Sequence, residues 1–553
     1  MAAATANMTD YARERQSFAL DVPEYFNFAA DVIDRWADDP NRVGMVWVGT
    51  ANRSRTLTFR EFAWGSNRAA RSFRAHGIGK GDRVLVVASR VPEWWEALLG
   101  LMKLGAVAAP GTTQLTARDM KYRLELSQAK AAIVDVENAR KLITVRAECP
   151  QLETIFVIGG DVEGCVRYET AVAAQPRRFE AERTRADDEL LLYFTSGTTG
   201  YPKMVLHTHA SYGIGHQITG KYWLDLKPSD LHWTLSDTGW AKAAWGCLFG
   251  PWSQGAALFI QDVPGRFDPV LTLKTLQDYG VTTFCAPPTA YRLLVLEDLT
   301  RYDLSALRHC VGAGEPLNPE VIEAWKAGTG MTIRDGYGQT ETVLIVGNFP
   351  PIEVRPGSMG KPSPGFEIAV IDESGNPCEP GEEGDIAIRI RPRRPVGLFR
   401  EYWNDPEASK SCIRGDWYIT GDRAYMDGDG YFWFVGRADD VIISAGYRIG
   451  PFEVESALLE HAAVVEAAVV ASPDPVRGEI VKAFVVLGKE FEAGEKLAEE
   501  LQDHVKRVTA PYKYPREVEF VTELPKTISG KIRRIELRQR EAAKKSNPAE
   551  YRV

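Results

Sequence analysis

The residues best suited to chemistry lie in one short loop, residues 195–203, directly after an apolar run at 190–194. Its glycines would let backbone N–H groups approach phosphate oxygens, its hydroxyl side chains add donors, and its last residue adds a positive charge. The candidate phosphate ligands are Thr195, Ser196, Gly197, Thr198, Thr199, Gly200 and Lys203. Because no Gly-Lys-Ser or Gly-Lys-Thr sequence closes the loop, it does not match the Walker P-loop. The composition predicts a phosphate-binding loop of another kind.

Four further motifs follow this loop, and together they carry a family resemblance. They are Asp-Gly-Tyr-Gly-Gln-Thr-Glu at 335–341, Tyr-Ile-Thr-Gly-Asp at 418–422, a segment from Gly-Arg-Ala-Asp-Asp to Tyr-Arg at 436–448, and Pro-Lys-Thr-Ile-Ser-Gly-Lys at 525–531. With the loop, they make the chain resemble the adenylate-forming superfamily. That superfamily includes acyl-CoA synthetases, firefly luciferase and the adenylation domains of peptide synthetases.

The resemblance implies an ATP site built from these motifs. It places Tyr337 against the purine and Asp422 on the two ribose hydroxyls, because a carboxylate can accept two hydrogen bonds. It also places Thr340 and Glu341 at the α-phosphate and Mg²⁺, since Mg²⁺ prefers a carboxylate together with phosphate oxygens. The other implied ATP/AMP-binding residues are Gly314, Glu315, Pro316, Asp335, Gly336, Arg437 and Arg448.

The resemblance implies that Lys531 is the main catalytic residue, with Thr340 and Glu341 beside it and Glu341 as the metal ligand. One ammonium group bridging the acid and the α-phosphate would stabilise the charge that develops there. No general base is needed, because a carboxylate is already ionised at pH 7. The implied function is an ATP-dependent carboxylic acid:CoA ligase. It would form an acyl-adenylate plus pyrophosphate, and then acyl-CoA plus AMP.

The second half-reaction is implied to use a different arrangement of the chain. Asp439 resembles the hinge about which a small C-terminal domain rotates in this family. After that rotation, four residues would flank the pantetheine of coenzyme A. They are Ser444, Ala445, Gly446 and Tyr447.

The acid itself is indicated by two positions. In acetate-specific relatives a tryptophan precedes the Gln-Thr-Glu of the central motif, whereas here the residue is Gly338. The freed space would hold several methylenes, each worth about 0.8 kcal/mol when buried. The stretch 232–252 resembles the medium-chain acyl-CoA synthetase branch, which makes Trp240 a candidate pocket wall and leaves a core position as its alternative. We expect medium-chain, branched or aromatic acids.

Three alternatives stay open at this point. An adenylating enzyme could load its acyl group onto a carrier protein, although no carrier domain follows residue 540. A luciferase-type oxygenase would share every adenylation motif. A catalytically silent binding protein is a third alternative, and it is disfavoured because Lys203, Glu341, Asp422, Arg448 and Lys531 are all present.

The elements that must position these residues read as an α/β fold. Apolar runs at 83–88, 105–109 and 131–135 are typical of buried strands, and helical patterns at 93–104 and 116–127 separate them. Repeated βα units favour parallel-type sheets with flanking helices. Beyond about Met359, frequent glycines, prolines and short alternating segments predict antiparallel strands, which the family resemblance identifies with a distorted β-barrel subdomain.

Two domains are expected. Residues 1–438 would form a large N-terminal domain that binds AMP and the acyl group, and residues 439–553 a small, mobile α+β domain that carries Lys531. In the small domain we predict helices at 451–459 and 494–506 and strands at 464–471 and 482–487. The oligomeric state, monomer or homodimer, is left open.

The composition of the chain bears on its binding partners and on its cellular compartment. The net charge of −9 gives no global attraction for nucleic acid. Seven scattered cysteines without a C-x-x-C pair predict free thiols and no zinc site. Residues 1–18 lack an apolar signal core, and the most apolar stretch, 94–110, is too short and charged to span a bilayer. We therefore expect a cytoplasmic protein, with a short cleaved organelle-targeting segment as the alternative.

Overall fold

A computed structural model describes residues 5–51, 53–195, 202–444, 447–475, 477–526 and 531–546, apart from the side chains of Arg448 and Ser546. Three sheets with helices around them confirm the predicted α/β class. The predicted domain boundary at 438/439 stays a prediction. The third sheet, however, draws all its strands from residues beyond that point.

The strands within the described ranges are numbered in chain order. Those of the two larger sheets are β1 (Val43–Gly49), β2 (Ser54–Thr58), β3 (Arg83–Val87), β4 (Val107–Pro110), β5 (Ala131–Asp135), β6 (Thr154–Ile158), β7 (Val166–Arg167), β8 (Glu189–Thr195), β9 (Lys203–Thr208), β10 (Leu231–Thr234), β11 (Ala257–Asp262), β12 (Thr283–Ala286), β13 (His309–Ala313), β14 (Ile333–Gly338), β15 (Leu344–Gly347), β16 (Ser358–Pro362), β17 (Ile368–Ile371), β18 (Glu383–Arg389), β19 (Glu401–Tyr402), β20 (Ile413–Arg414), β21 (Trp417–Met426) and β22 (Phe432–Arg437). Those of the third sheet are β23 (Ile442–Ser444), β24 (Tyr447–Ile449), β25 (Val464–Asp474), β26 (Gly478–Leu487) and β27 (Glu517–Phe520).

The helices lie on the faces of these sheets and in the connections between strands. They are α1 (Tyr11–Ser17), α2 (Asp34–Trp36), α3 (Phe59–Ala75), α4 (Pro92–Leu104), α5 (Ala117–Ser127), α6 (Val136–Val145), α7 (Tyr168–Ala173), α8 (His216–Ile218), α9 (Ala241–Ala244), α10 (Gly250–Ser253), α11 (Pro269–Tyr279), α12 (Pro288–Leu294), α13 (Pro319–Thr329), α14 (Pro406–Ser411), α15 (Pro451–Leu459), α16 (Glu495–Val508) and α17 (Arg534–Ser546). Wider π-helical turns occur at Ala29–Ile33, His209–Ile214, Thr219–Trp223 and Trp245–Phe249.

The first large sheet has eight strands in the order β19-β9-β8-β4-β3-β5-β6-β7. Its members from β8 to β7 pair in parallel, whereas β9 and β19 are antiparallel additions at one edge. The helix predicted from a threonine cap is confirmed, because the Thr116 hydroxyl and the Asp119 carboxylate form a capping box at the start of α5. This edge brings β9, which begins at Lys203, next to β19.

The second large sheet runs β17-β18-β21-β22-β16-β15-β14-β13-β12-β10-β11-β1-β2, with β20 beside β21. Strands β1 and β10 to β14 pair in parallel, and the pairing turns antiparallel from β14 to β17. The antiparallel strands predicted beyond about Met359 thus continue the parallel sheet. They place β21 and β22 within reach of the carboxyl end of β14.

The most apolar segment of the sequence is the buried helix α4. Its tryptophans, Trp94 and Trp95, are fully covered, and Gly105 ends the helix in the left-handed conformation at φ 67°. Gly100 lets α4 approach α3, since a Cβ there would lie 2.8 Å from the Cβ of Ala69. Among the described residues, no helix is long and apolar enough to cross a membrane.

The third sheet has the order β24-β23-β26-β25, and β27 pairs in parallel with β26. The predicted helix at 451–459 is confirmed with the same bounds, and that at 494–506 is α16. Helices α15 and α16 pack on one apolar core with β25 and β26. The final described helix, α17, covers part of the other side through Leu537. All seven cysteines of the chain are free thiols, as predicted.

Candidate functional site

The predicted site residues of the second large sheet lie near β14, the strand at which parallel pairing changes to antiparallel pairing. The carboxyl ends of β13 and β14 carry Gly314, just beyond β13, and the segment from Asp335 to Tyr337. Strands β21 and β22 run alongside, and Asp422 and Arg437 are cross-strand partners. Ligands of open α/β sheets bind at the carboxyl ends of the strands, so this is the expected edge for a site.

Asp422 is the centre of this group. Its Oδ2 accepts hydrogen bonds of 2.6 Å from the Tyr337 hydroxyl and 2.6 Å from the Gln339 amide, and its Oδ1 lies 3.4 Å from an Arg437 guanidinium nitrogen. The carboxyl is only 4% exposed. Burial raises its pKa, and the charges of Arg437 and Lys531 oppose that rise together with the two donors.

Gln339 was not predicted as a site residue. Besides Asp422, its amide donates to the Thr420 carbonyl at 2.9 Å, so it joins β21 to the turn after β14. The available signal was its place inside the motif 335–341. The motif alone does not tell which of its polar members faces the carboxylate.

Asp335 lies deeper, beside a second buried charge. Burial raises its pKa to about 8, and backbone donors at Gly336 and Leu317 and the charge of Lys242 act in the opposite direction. The Lys242 ammonium donates to the Ala313 carbonyl at 2.7 Å, next to Gly314, and burial lowers its pKa. Gly314 adopts φ 111°, which favours glycine there.

Two of the other predicted ATP/AMP-binding residues are placed differently. Glu315 forms an ion pair of 3.3 Å with Arg292. Gly336 is buried, and a Cβ there would lie 2.5 Å from the Trp223 ring. The backbone of this segment therefore fits between Trp223 and β15 without a side chain at that position.

Glu341 forms the second group of the site. Its Oε1 accepts a 2.8 Å hydrogen bond from the Tyr402 hydroxyl, and its carbonyl accepts one of 2.7 Å from the Phe399 N–H. Burial raises the pKa of the carboxyl, and the Tyr402 hydroxyl lowers it. The Lys203 ammonium lies 4.8 Å from the centroid of the Tyr402 ring. Sequence analysis missed Tyr402, which lies outside the five motifs.

The histidines after the loop have structural surroundings. His207 Nε2 lies 2.7 Å from the Thr340 carbonyl and its Nδ1 lies 3.1 Å from the Ser211 hydroxyl. Burial lowers the pKa of His207 and of His209 to about 4, so both rings are neutral at pH 7. His207 thereby fixes the backbone of Thr340, one of the predicted catalytic residues.

A metal would have few protein ligands here. Within the described ranges, no group of three or more His, Cys, Asp or Glu side chains is arranged to hold an ion. Glu341 offers one oriented carboxylate, and Mg²⁺ often binds through one or two carboxylates plus substrate phosphates. The donor set therefore fits a Mg²⁺ that is completed by a nucleotide.

Lys531 faces this site from the third-sheet side. Its side chain is exposed, and its charge lowers the pKa of both Asp422 and Lys242. The predicted hinge residue, Asp439, lies 3.7 Å from Arg437, and its carbonyl accepts a 3.0 Å hydrogen bond from Arg538. The charge of Lys531 thus acts on the same carboxylate, Asp422, that the large sheet holds.

The predicted CoA residues lie on the hairpin of β23 and β24. Ser444 is buried, and Tyr447 is 53% exposed and stacks on Tyr512 with ring centroids 4.4 Å apart. Ala445 and Gly446 lie outside the described residues, as do Ser196, Gly197, Thr198, Thr199 and Gly200. Of Arg448 only the backbone is described, paired with Ile443.

The two acyl-pocket candidates differ in their surroundings. Gly338 ends β14 in an exposed position, and a Cβ there would lie only 2.6 Å from the Val343 carbonyl oxygen. Any side chain at 338 would therefore disturb the pairing of β14 with β15. Trp240 is half-buried at the start of α9. The preceding Gly239 packs so tightly that a Cβ would lie 2.0 Å from the Thr112 nitrogen.

Comparisons with known proteins agree along almost the whole chain. The AMP-binding enzyme family matches residues 33–403, and the AMP-binding enzyme C-terminal domain matches residues 453–531. Human mitochondrial acyl-coenzyme A synthetase ACSM3 is 49% identical over 545 residues, covering 97% of this chain and 93% of that protein. The structure of the anthranilate CoA ligase AuaEII in complex with anthranoyl-AMP has a TM-score of 0.87 at 34% identity, covering 96% of this chain and 99% of that one. A benzoate CoA ligase from Burkholderia xenovorans LB400 has a TM-score of 0.82 at 30% identity, covering 93% and 100%.

The expectation of a cytoplasmic protein is wrong. The similar human proteins ACSM3, ACSM4 and ACSM5 are all named as mitochondrial, each at 49% identity. The expectation rested on composition and on residues 1–18. Composition reports how a protein behaves in water, and it cannot separate two aqueous compartments.

Proposed function

This chain belongs to the AMP-binding enzyme family, and we propose that its ligase chemistry is carried by the residues around Asp422, Glu341 and Lys531. It is an AMP-forming acyl-CoA synthetase, an ATP-dependent ligase that joins a carboxylic acid to coenzyme A. One observation supports the assignment of the site most strongly. A buried carboxylate, Asp422, accepts hydrogen bonds from Tyr337 and Gln339. It also forms an ion pair with Arg437 and lies in the field of Lys531.

The first step is formation of the acyl-adenylate. An oxygen of the acid carboxylate attacks the α-phosphorus of ATP, the new O–P bond forms, and the bond to pyrophosphate breaks. Lys531 would contact both the acid and the α-phosphate, stabilising the negative charge shared between them. Because the carboxylate attacks as an anion, no histidine is required, in agreement with the neutral, structural His207 and His209.

The nucleotide would be held by groups that are already oriented. Asp422 would accept the ribose hydroxyls, with Tyr337, Gln339 and Arg437 holding the carboxylate in place. Lys203 and Thr195, at the two ends of the loop, would meet the phosphates. When bound, Mg²⁺ would neutralise phosphate charge, and Glu341 is the residue that would hold it.

The second step transfers the acyl group to coenzyme A. The thiol sulfur attacks the acyl carbon, the C–S bond forms, and the C–O bond to AMP breaks. We assign the pantetheine contact to the hairpin that carries Ser444 and Tyr447, brought to the site by rotation about Asp439. The exposed Tyr447 ring is the feature that supports this role.

The acid is proposed to be of medium chain length or aromatic. Two similar proteins are named anthranilate CoA ligase and benzoate CoA ligase. Trp240 would form part of the pocket wall, and the missing side chain at Gly338 would leave room for the acid. We also propose a mitochondrial location, as in the similar human acyl-coenzyme A synthetases.

The proposal is tested by measuring acid-dependent pyrophosphate release with and without coenzyme A. The acids should include straight chains of about two to ten carbons, together with benzoate and anthranilate. Each methylene that the pocket buries should contribute roughly 0.8 kcal/mol to binding. We expect release that depends on both acid and ATP, and acyl-CoA only when coenzyme A is present. Absence of release with every acid would contradict the proposal.

Lys531→Ala separates the two half-reactions. It should lower acyl-adenylate formation by about 10²–10³-fold, as loss of one preorganised charge-stabilising group does. Thioester formation from preformed acyl-adenylate should remain largely intact. If both half-reactions fall equally, Lys531 is not specific to adenylation.

A further inference from the structure

Lys203 and Glu341 both contact a single aromatic ring, that of Tyr402. The Tyr402 hydroxyl donates to Glu341 Oε1 at 2.8 Å, and the Lys203 ammonium lies 4.8 Å from the centroid of the same ring. Tyr402 is 8% exposed. Its ring thus contacts the cation through its face and the anion through its hydroxyl, two interactions that aromatic rings favour.

Tyr402 is thus a contact shared by two side chains of opposite charge. In the described part of the chain, Lys203 and Glu341 form no direct ion pair, although both contact Tyr402. At short range in a poorly solvated site, such charges attract by several kcal/mol, on the order of 4 kcal/mol at 4 Å for surface-like screening. Without the ring, a flexible lysine chain would close the gap. The resulting ion pair would occupy the carboxylate and the ammonium at once.

The backbone holds Tyr402 firmly in this position. Tyr402 on β19 is the antiparallel partner of Val205 on β9, the strand that begins at Lys203. Its N–H donates to the Ser409 hydroxyl at 2.9 Å, and the Phe399 ring packs on its edge at 4.9 Å. Phe399 also donates its N–H to the Glu341 carbonyl. The segment 399–402 therefore contacts both the backbone and the side chain of Glu341.

We propose that Tyr402 is a positioning residue that separates Lys203 from Glu341 and orients the Glu341 carboxylate. Both charges then remain available to an incoming triphosphate and its divalent cation. The inference rests on the proposed function, because it assumes that Lys203 meets phosphate and that Glu341 meets the metal. It adds a residue that lies outside every motif of the sequence.

Tyr402→Phe tests the hydroxyl alone. The ring stays between the charges, while Glu341 loses the donor that orients it. The dissociation constant of ATP in the absence of metal, measured by calorimetry, should be unchanged. Mg²⁺ should strengthen ATP binding, and the Mg²⁺ concentration that gives half of this effect should rise about tenfold in the variant. A hydrogen bond to a charged group contributes a free energy that corresponds to about this factor.

Tyr402→Leu tests the ring. Lys203 should now pair with Glu341, so metal-free ATP binding should also weaken, by about tenfold or more. Adding Glu341→Gln to this variant removes the carboxylate that traps the lysine. Metal-free ATP binding should then recover towards the wild-type value, which a merely destabilised fold would not do.

Tyr425→Phe is the matched control, because Tyr425 stacks on Trp433 at 6.1 Å and belongs to β21.

An unchanged Mg²⁺ requirement in Tyr402→Phe would overturn the orienting role. Failure of Glu341→Gln to restore metal-free binding in Tyr402→Leu would overturn the separating role. If the wild type itself binds no ATP, the proposed function fails and this inference fails with it. If the wild type binds ATP and the variants match it, only the inference fails.

Discussion

At the residue scale, the site is organised around one buried carboxylate with two hydrogen-bond donors and one ion-pair partner. A phenol, an amide and a guanidinium from Tyr337, Gln339 and Arg437 surround Asp422. Burial alone would favour the neutral acid, whereas each donor favours the anion. The anion is also the form that can accept two further hydrogen bonds from a ribose.

Gln339→Leu should weaken ATP use specifically. The change removes the donors to the Asp422 carboxylate and the Thr420 carbonyl, so Asp422 loses part of its orientation. We expect the KM for ATP to rise about tenfold, with the KM for the acid unchanged. Steady-state kinetics would measure both constants. Gln261→Leu, which removes an amide bonded to Thr275, is the control; an equal effect there would refute the specific role.

The sequence could identify single residues only where a motif contained them. Asp422, Tyr337, Glu341 and Lys531 were predicted from their motifs. Tyr337 contacts Asp422 directly, and the roles of all four stay proposals. Tyr402 was not, because its contact with Glu341 arises from the pairing of β19 with β9. Such pairing joins segments distant in sequence, so local pattern carries no signal for it.

At the element scale, the individual strands and helices that local patterns predicted are present, although they are a minority of those in the described residues. The strand Ala131–Asp135 and the helix Pro451–Leu459 have the predicted bounds, because apolar periodicity and a helix-starting proline mark them clearly. The partners of the strands could not be predicted. Val43–Gly49, for example, pairs with Ala257–Asp262, and the sequence of neither segment indicates that the other is its partner.

Helix α17 positions the segment that carries Lys531. At its start, Arg534 forms a bidentate ion pair with Glu455 of α15, with the shortest N···O distance 2.6 Å. Near its end, Glu541 is buried against Lys482, which lies 2.6 Å away. One ion pair joins the start of α17 to α15, and the other joins its second half to β26. The helix that follows Lys531 is therefore held at two points.

Arg534→Ala should loosen this attachment. It leaves the buried Glu455 without its cation, which costs about 3 kcal/mol or more of stability. We expect lower unfolding stability in urea and slower acyl-adenylate formation. Combining Arg534→Met with Glu455→Leu removes both charges, and it should recover most of the lost stability. A single variant as stable as the wild type would contradict the anchoring role.

At the scale of the whole molecule, the site is completed by parts of the chain that fold on different sheets. The large sheet supplies Asp422, and the side of the third sheet supplies Lys531. The charge of Lys531 acts on Asp422 in this arrangement. We retain the boundary at 438/439 and the catalytic role of Lys531 as proposals.

The pH dependence of stability should carry the signature of Glu96, a half-buried residue of α4 that lies against α3 and α7. Burial raises its pKa from 4.5 to about 7, opposed by the Tyr168 hydroxyl at 2.9 Å. Between these values the folded chain binds more protons than the unfolded chain. Stability from this group is therefore complete below about pH 4.5 and is lost as pH rises through about 7.

Glu96→Gln should remove this component. The fall in unfolding free energy between about pH 5 and pH 8 should shrink by about 2–3 kcal/mol. Urea unfolding at several pH values would measure it. Glu137→Gln, the same change on an exposed side chain of α6, is the control. An unchanged pH slope in Glu96→Gln would show that this carboxyl titrates as in the unfolded chain.

The most direct measurement of the central claim follows the acid oxygen. A carboxylic acid enriched in heavy oxygen should be turned over with ATP and coenzyme A, and the products analysed by mass spectrometry. Attack of the carboxylate on the α-phosphorus, followed by thioester formation, leaves one heavy oxygen on AMP and none on pyrophosphate. Heavy oxygen in pyrophosphate or inorganic phosphate, or AMP without label, would contradict the account.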